Sequence, residues 1–254
     1  MASPSLGADF DKGLTAAHAG DFATALREWT PLAEQGHTEA QYSLGVMYEN
    51  GYGVLQDYKT AVKWYTLAAE QGHATAQLNL AIMYRKGDGV LQDDKAAVKW
   101  FTLAAEQGDA MAQYNLAFMY RNGEGVLQDD KAAVKWFTLA AEQGLAQAQY
   151  NLAFMYDEGD GVLQDDKAAV KLYTLAAEQG YAKAQFNLAF MYRNGEGVLQ
   201  DNVYAHMWAN ISSYNGAETG SKLRAKVSEE MTPSQLEKAQ DLARECVAKN
   251  YKNC

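Results

Sequence analysis

The sequence predicts an all-α solenoid, a stack of helix pairs built from one repeated segment. The dipeptide Gln-Gly returns every 36 residues, at 35–36, 71–72, 107–108, 143–144 and 179–180. Each repeat contains two apolar stripes at helical spacing, separated by a turn rich in glycine. One such pair cannot bury its own apolar face, whereas stacked pairs can, so the repeat predicts a solenoid in which neighbouring repeats contact each other.

The first helix of each repeat is predicted by aligned apolar columns. In the repeat 109–144 this helix runs from about Asp109 to Asn122. Its apolar stripe consists of Ala112, Leu116, Met119 and Tyr120. Gly123 ends the helix because glycine adopts a positive φ without steric cost. The following segment, GEGVLQ, is expected to form the turn.

The second helix is predicted to begin after Asp129, a favourable N-cap residue, and to run to about Gln143, before Gly144. Its polar stripe consists of Lys131, Lys135, Thr138 and Glu142. The remaining faces carry alanines together with Trp136 and Phe137. Small alanines let helices approach closely, and the aromatic rings are expected to fill the space between repeats.

Both ends of the chain depart from the repeat, as the terminal segments of a solenoid should. We divide the chain into four parts. They are a leader at 1–8 that is disordered or the remnant of a signal peptide, an N-terminal capping helix pair at 9–36, five repeats at 37–216 of which the last is modified, and a C-terminal capping helix with a closed tail at 217–254.

The C-terminal capping helix carries a strong start signal. Thr232 is the expected N-cap, Pro233 takes the first helical position and Gln235 completes a capping box, and the helix should run to about Lys249.

The two cysteines, Cys246 and Cys254, both lie near the C-terminus. We expect them to form one disulfide, and the alternative is two unpaired cytosolic thiols. A disulfide implies an oxidising compartment, either the periplasm or the cell exterior. The small residues at 5–8 fit the cleaved end of a signal peptide and equally an ordinary disordered start.

Composition and motifs argue against several classes of function. The net charge of −10 disfavours nucleic acid and anionic membranes as partners. No apolar run approaches the roughly 20 residues of a membrane span, so we expect no integral membrane segment. The four histidines lack metal-binding spacing, and the acidic run at 157–166 lacks the spacing of a calcium loop. We therefore expect no metal, no other cofactor and no catalytic residues, since a repeated surface is a poor place for a unique active site.

Two motifs recur along residues 9–214, namely A-Q-x-N-L-A-x-M-Y-x-x-G-x-G-V and D-x-x-x-A-V-K-W-Y/F-x-x-A-A-E-Q-G. On these motifs the chain resembles the Sel-1-like repeat proteins, bacterial relatives of the tetratricopeptide repeats. The resemblance implies a right-handed α-α superhelix, and it implies an adaptor that binds proteins or peptides, in many members of the family in the periplasm or at the cell surface.

The resemblance also implies where a ligand binds, because the first helices of such solenoids line the concave face. The expected binding residues are Tyr42, Leu78, Asn79, Ile82, Arg85, Tyr114, Asn115, Phe118, Arg121, Tyr150, Asn151, Phe154, Phe186, Asn187, Phe190 and Arg193. They form an aromatic and apolar column, a second apolar column one turn later, a column of asparagines and a column of charged residues. Asparagines suit the backbone of an extended peptide, and arginines suit a carboxylate.

Each of these columns has a structural alternative. The aromatic rings would then pack between repeats, the asparagines would bond a neighbouring helix, and the arginines would simply be solvated.

The leading hypothesis is a non-enzymatic, periplasmic or secreted adaptor that binds a protein or peptide segment and acts as a monomer. The alternative is a module that binds peptidoglycan or another cell-wall glycan, and an enzyme is a third hypothesis.

Overall fold

The structure, a computed structural model, describes residues 7–254, so residues 1–6 of the expected leader lie outside the described residues. Residues 7–254 form fourteen helices and no strand. None of these helices combines the length and the apolar character that crossing a bilayer requires. The helices fall into two compact halves, and each half is described by itself.

The first half ends at Gln128 and contains seven helices, each packed mainly on the next one along the chain. They are α1 (Phe10–His18), α2 (Phe22–Glu34), α3 (Thr38–Asn50), α4 (Tyr58–Glu70), α5 (Ala74–Lys86), α6 (Asp94–Glu106) and α7 (Ala110–Asn122).

The second half, Asp129–Cys254, also contains seven helices. They are α8 (Asp130–Glu142), α9 (Ala146–Glu158), α10 (Asp166–Ala177), α11 (Ala182–Asn194), α12 (Asn202–Tyr214), α13 (Glu218–Ser228) and α14 (Pro233–Ala248). From α8 to α12 each helix packs on the next, and α12 packs on both α13 and α14.

Capping signals in the sequence set the helix ends. The carboxylate of Asp93 accepts the backbone N–H of Ala96 at 3.0 Å and starts α6. Gly87 ends α5 with a φ of 79°, a conformation that glycine reaches easily. The helix pair predicted for 109–144 is present as α7 and α8, with ends within one residue of those expected.

The core combines one aromatic ring from the second helix of a repeat with aliphatic residues from the first helix of the next repeat. In the first half, Tyr65 of α4 is fully buried against Leu80 and Met83 of α5. Complete burial of a large side chain of this kind contributes about 1.5–3 kcal/mol to the free energy of unfolding. The short side chains of Ala68 and Ala76 in the same cluster let the two helices lie close together.

A ladder of buried glutamines ties neighbouring helix pairs together. Nε2 of Gln77 donates to the carbonyl oxygen of Ala69 at 3.0 Å, and Oε1 of Gln77 accepts from Nε2 of Gln107 at 2.8 Å. The same two bonds are made by Gln41 with Ala33 and Gln71, by Gln149 with Ala141 and Gln179, and by Gln185 with Ala177 and Asn215. In the second half the ladder ends where the hydroxyl of Tyr251 donates to Asn215 at 2.9 Å. The glutamine of the recurring Gln-Gly therefore has a structural role, because its side chain donates a hydrogen bond to a buried glutamine of a first helix.

The turn of one repeat rests on the preceding repeat. Gly89 has a φ of +69°, and a Cβ built on it would lie 2.3 Å from the carbonyl carbon of Tyr58, at the start of α4. Only glycine leaves room for this backbone-to-backbone approach.

The C-terminal cap contains one helix that the sequence analysis did not predict, α13. The expected capping box at Thr232 and Gln235 is present and starts α14. Cys246 and Cys254 form a disulfide that folds the tail back on the end of α14.

Candidate functional site

The predicted binding columns lie on the first helices of the repeats, α3, α5, α7, α9 and α11. All five members of the aromatic column are half-buried. They are Tyr42, Leu78, Tyr114, Tyr150 and Phe186. The second column, Val46, Ile82, Phe118, Phe154 and Phe190, is also half-buried, except that Phe190 is 42% exposed. Each column therefore presents part of its apolar surface to solvent.

The buried part of the first column packs on the rest of the chain. The ring of Tyr42 lies 5.9 Å from that of Tyr65 and 4.5 Å from that of His73, between centroids. Tyr150 repeats this arrangement with Tyr173 at 5.8 Å and Tyr181 at 5.2 Å. Offset or tilted pairs at these distances fix the orientation of each ring. The rings thus help to join repeats while one edge stays accessible.

The asparagine column is bonded within the chain. Nδ2 of Asn115 donates to the carbonyl oxygen of Met111 at 2.7 Å, while its Oδ1 accepts from Nη1 of Arg85 at 3.0 Å. Nδ2 of Asn187 donates to the hydroxyl of Tyr173 at 2.8 Å. Nδ2 of Asn151 donates to the carbonyl of Gln147 at 2.7 Å. These amides are engaged with neighbouring groups of the protein, as in the structural alternative for this column.

In three repeats, the residue of the charged column contacts the buried aromatic side chain on the second helix of the same repeat. Where the aromatic residue is tyrosine, the partner is an acid: Tyr65 donates to Glu49 at 2.5 Å, and Tyr173 donates to Asp157 at 3.4 Å. Where it is Phe101, the partner is Arg85, whose Cζ lies 6.0 Å from the ring centroid.

Burial governs the ionisation of these pairs. It raises the pKa of Tyr65 far above its ordinary value, with the carboxylate of Glu49 adding to the effect, so the phenol keeps its proton. Burial also raises the pKa of Asp157, and Glu158 raises it further.

Four of the predicted binding residues meet in one cleft of the first half. The cleft has a volume of about 470 Å³ and is lined by Arg85, Gln92, Asp94, Tyr114, Asn115, Phe118 and Glu124. We call it the α5–α7 cleft. It combines aromatic surface, one guanidinium and two carboxylates, a combination that can hold a mixed apolar and polar segment.

Arg193, one of the predicted binding residues, forms an ion pair within the chain. Its Nη2 donates to the carboxylate of Glu230 at 2.6 Å, and its side chain is only 18% exposed. Arg193 therefore holds the segment between α13 and α14 and is largely withdrawn from solvent. Asn79, Ile82 and Arg121 lie at the predicted face and are half-buried, as are most members of these columns.

Two further features were not anticipated. Each turn carries a leucine that is between 89% and 91% exposed. They are Leu55, Leu91, Leu127, Leu163 and Leu199, and the recurring Val-Leu-Gln triplet was the sequence signal for them. A second cleft lies around Arg224, between the last repeat and the C-terminal cap. It has no repeated sequence signal, because His206 and Asn210 lie where the last repeat is modified and the rest of its lining lies in 217–254. Within residues 7–254, no three His, Cys, Asp or Glu side chains are grouped as metal ligands.

The Sel1 repeat family profile matches residues 38–73, 74–109, 110–145, 146–181 and 182–216. A solved Sel1 repeat protein from Oxalobacter formigenes is 32% identical to the chain, with a TM-score of 0.82, and the match covers 93% of this chain and 99% of that one. A protective antigen of uropathogenic Escherichia coli with the same type of repeat is 27% identical over 95% of this chain and 69% of its own, with a TM-score of 0.47. A search of curated proteins found no match.

The repeat pattern, the helix pairs, the family profile and the match to the Oxalobacter formigenes protein agree. Solenoids of Sel1 repeats are generally protein-interaction modules. The family match spans five consecutive repeats, and the helical fold follows the solved relative over nearly its whole length. The chain belongs to the Sel1 repeat family.

Proposed function

We propose that the chain is a non-enzymatic adaptor that binds an extended segment of another protein on the face formed by the first helices. The observation that supports this most directly is the α5–α7 cleft, where Arg85, Tyr114, Asn115 and Phe118 line one cavity. These residues come from four different predicted columns and from two repeats, so the cleft forms only when the repeats are stacked.

The cleft is preorganised for binding. Arg85 is held from one side by Asn115 and lies over the ring of Phe101, which limits the side-chain entropy lost when a ligand binds. Tyr114 and Phe118 supply half-buried aromatic surface beside it. Aromatic residues and arginine are the types that dominate binding energy at protein interfaces.

The charges in the cleft define the segment it suits. Asp94 and Glu124 face the same cavity as Arg85, and the whole chain has a net charge of −10. We infer a ligand segment with an apolar side chain for the aromatic surface, a basic side chain for the carboxylates and a backbone carbonyl for Arg85. The overall charge then steers a basic segment towards the protein.

Peptides selected from a random library on the purified protein test this proposal. The affinity of a selected peptide is measured by calorimetry for the native protein, for Phe118→Ala and for Leu127→Ala. We expect Phe118→Ala to weaken binding about tenfold or more, as loss of a central aromatic contact does. Leu127→Ala removes an exposed side chain outside the cleft and should leave the affinity unchanged.

Thermal unfolding of both variants separates binding from folding. A Phe118→Ala protein that folds normally and binds the selected peptides as tightly as the native protein would rule out the α5–α7 cleft as the site. Retention of the native protein, but not of Phe118→Ala, on purified cell-wall sacculi would instead favour the cell-wall alternative.

We also propose that the protein works as a monomer in the periplasm or outside the cell. The disulfide between Cys246 and Cys254 supports an oxidising compartment. Sedimentation analysis tests the monomer, and fractionation of the producing cells tests the compartment.

A further inference from the structure

A polar cleft of about 540 Å³ lies between α12 of the last repeat and the helices α13 and α14 of the C-terminal cap. Its polar lining consists of His206, Asn210, Arg224, Ser228, Gln240 and Arg244. Among the described residues, no carboxylate lines this cleft, although the chain carries 32 acidic and 22 basic residues. A cleft with two guanidiniums and no acid therefore contrasts with the net negative charge of the chain.

The two arginines are held differently. Nη1 of Arg224 donates to Oδ1 of Asn210 at 2.7 Å, which fixes the guanidinium across the cleft. Within residues 7–254 no carboxylate lies within ion-pair distance of Arg224. Arg244 pairs with Asp241 one turn earlier on α14 and is well exposed. Arg224 thus offers a fixed and uncompensated positive charge, and Arg244, which is paired with Asp241, adds an exposed guanidinium at the rim.

His206 supplies a buried hydrogen-bonding group at the same place. The residue is only 3% exposed, and its Nδ1 has no hydrogen-bond partner among the described residues. Burial lowers the pKa of His206, and the nearby Arg224 lowers it further, so the imidazole is neutral at neutral pH. A buried polar atom without a partner is uncommon in proteins, and this one belongs to a residue that lines the cleft.

An apolar cleft of about 290 Å³ adjoins the polar one, and the two share Asn210 and Arg244. Its lining includes Ile211, Ala243 and Val247, and it includes Tyr214, which is 74% exposed. An aromatic side chain so exposed beside an apolar cleft offers a ready wall for an apolar group.

We propose that the two clefts together bind a small organic anion. Its oxyanion head, a carboxylate or a phosphate monoester, lies between Arg224 and Arg244, and its apolar body lies against Tyr214 and Val247. Guanidinium groups bind both kinds of head through paired N–H donors. The combined clefts have the size range of small-molecule sites. This site lies between the last repeat and the cap and does not depend on the α5–α7 cleft.

Calorimetric titration of the full chain tests the proposal with four probes: hexanoate, hexyl phosphate, acetate and the uncharged hexanamide. We expect one or both of the anionic probes with a hexyl or pentyl chain to bind more tightly than acetate, and we expect no binding of hexanamide. Binding of only hexanoate identifies the head as a carboxylate, and binding of only hexyl phosphate identifies it as a phosphate. Failure of both to bind overturns the proposal.

Three variants localise the binding. Arg224→Gln and Arg244→Gln each remove one charge-assisted contact and should weaken binding about tenfold or more. Arg244 is exposed, so its variant remains informative if Arg224→Gln fails to fold. Tyr214→Ala should weaken the binding of hexanoate or hexyl phosphate but not that of acetate. The matched control is Lys222→Gln, which also removes one positive charge. Lys222 is exposed and lies on the same helix as Arg224. Equal losses in Lys222→Gln and Arg224→Gln would show unspecific attraction and overturn the site.

Discussion

Replacement of Gly89 by alanine tests whether the turn of one repeat is locked onto the preceding helix pair. The added Cβ would lie 2.3 Å from the carbonyl carbon and 2.4 Å from the carbonyl oxygen of Tyr58. Unstrained carbon atoms stay about 3.5–4.0 Å apart. Because the obstructing atoms belong to the backbone of α4, no side-chain rotation relieves the clash.

The expected magnitude has two parts. Alanine at a positive φ costs about 1–2 kcal/mol, and overpacking at a tight contact costs about 1–3 kcal/mol more. Gly89→Ala should therefore lower the free energy of unfolding by about 2–5 kcal/mol. Gly72 provides a matched control, since its φ is +90° and a Cβ there would meet nothing within 4 Å. Gly72→Ala should cost only the conformational part, about 1–2 kcal/mol.

Urea unfolding followed by circular dichroism measures both variants, with amide hydrogen exchange locating the loss. We expect faster exchange in α4 and α5 for Gly89→Ala than for Gly72→Ala. If both substitutions lower the unfolding midpoint equally, then the contact between the turn and α4 does not stabilise the stack, and the reasoning fails.

Three further changes test other parts of the structure. Gln77→Ala breaks two buried hydrogen bonds of the glutamine ladder and should lower the free energy of unfolding by about 1–3 kcal/mol, whereas Gln92→Ala, at an exposed position, should have little effect in the same urea titration. Asp157→Asn should stabilise the protein at neutral pH, because burial raises the pKa of Asp157 in the folded state and its ionisation as the pH rises is then unfavourable. The gain should vanish below about pH 4, where the carboxyl is protonated in both folded and unfolded states, and a gain that persists in acid would contradict this cause. Reduction of the disulfide between Cys246 and Cys254 should destabilise the cap by about 2.5 kcal/mol, and intact mass after alkylation without reductant, if it showed two labelled thiols, would contradict the pairing.

Much of the fold could be predicted because its signals are local. A leucine column, an acidic N-cap and a glycine after each first helix define a helix pair within a single repeat. The predicted helix from Asp109 to Asn122 accordingly differs from α7 by one residue. The capping box at Thr232 is local in the same sense and was also predicted.

Helix α13 was missed because tertiary contacts stabilise it. Its sequence, ETGSKLRAKVS, is polar and has few apolar positions, of which Leu223 and Val227 are buried. Gly220, which lowers helix propensity, is placed there by packing: a Cβ on it would lie 2.7 Å from the backbone nitrogen of Ser213 in α12. Gly220 thus lowers the intrinsic helix propensity of α13 but allows α13 to pack closely against α12.

The sequence predicted which side chains share a face of the first helices, but it did not predict how those side chains are bonded. Columns of equivalent residues showed which side chains share a face, and four of them meet in the α5–α7 cleft. The aligned columns could not show that Arg85 donates a hydrogen bond to the amide of Asn115, because the two residues are 30 positions apart and lie in different repeats. The buried glutamines were overlooked for the same reason, since Gln77 and Gln107 are also 30 residues apart.

The asparagine column affects how a chain of this kind can gain or lose repeats during evolution. A primary amide can both donate and accept hydrogen bonds. Asn187 donates to a tyrosine hydroxyl of the preceding repeat, whereas Asn115 accepts from an arginine of the preceding repeat. Asparagine at this position can therefore bond to the preceding repeat whether that repeat presents a tyrosine hydroxyl or an arginine. Recombination that adds, deletes or reorders whole repeats therefore preserves the hydrogen bond between adjacent repeats, so a lineage can vary the number and order of its repeats.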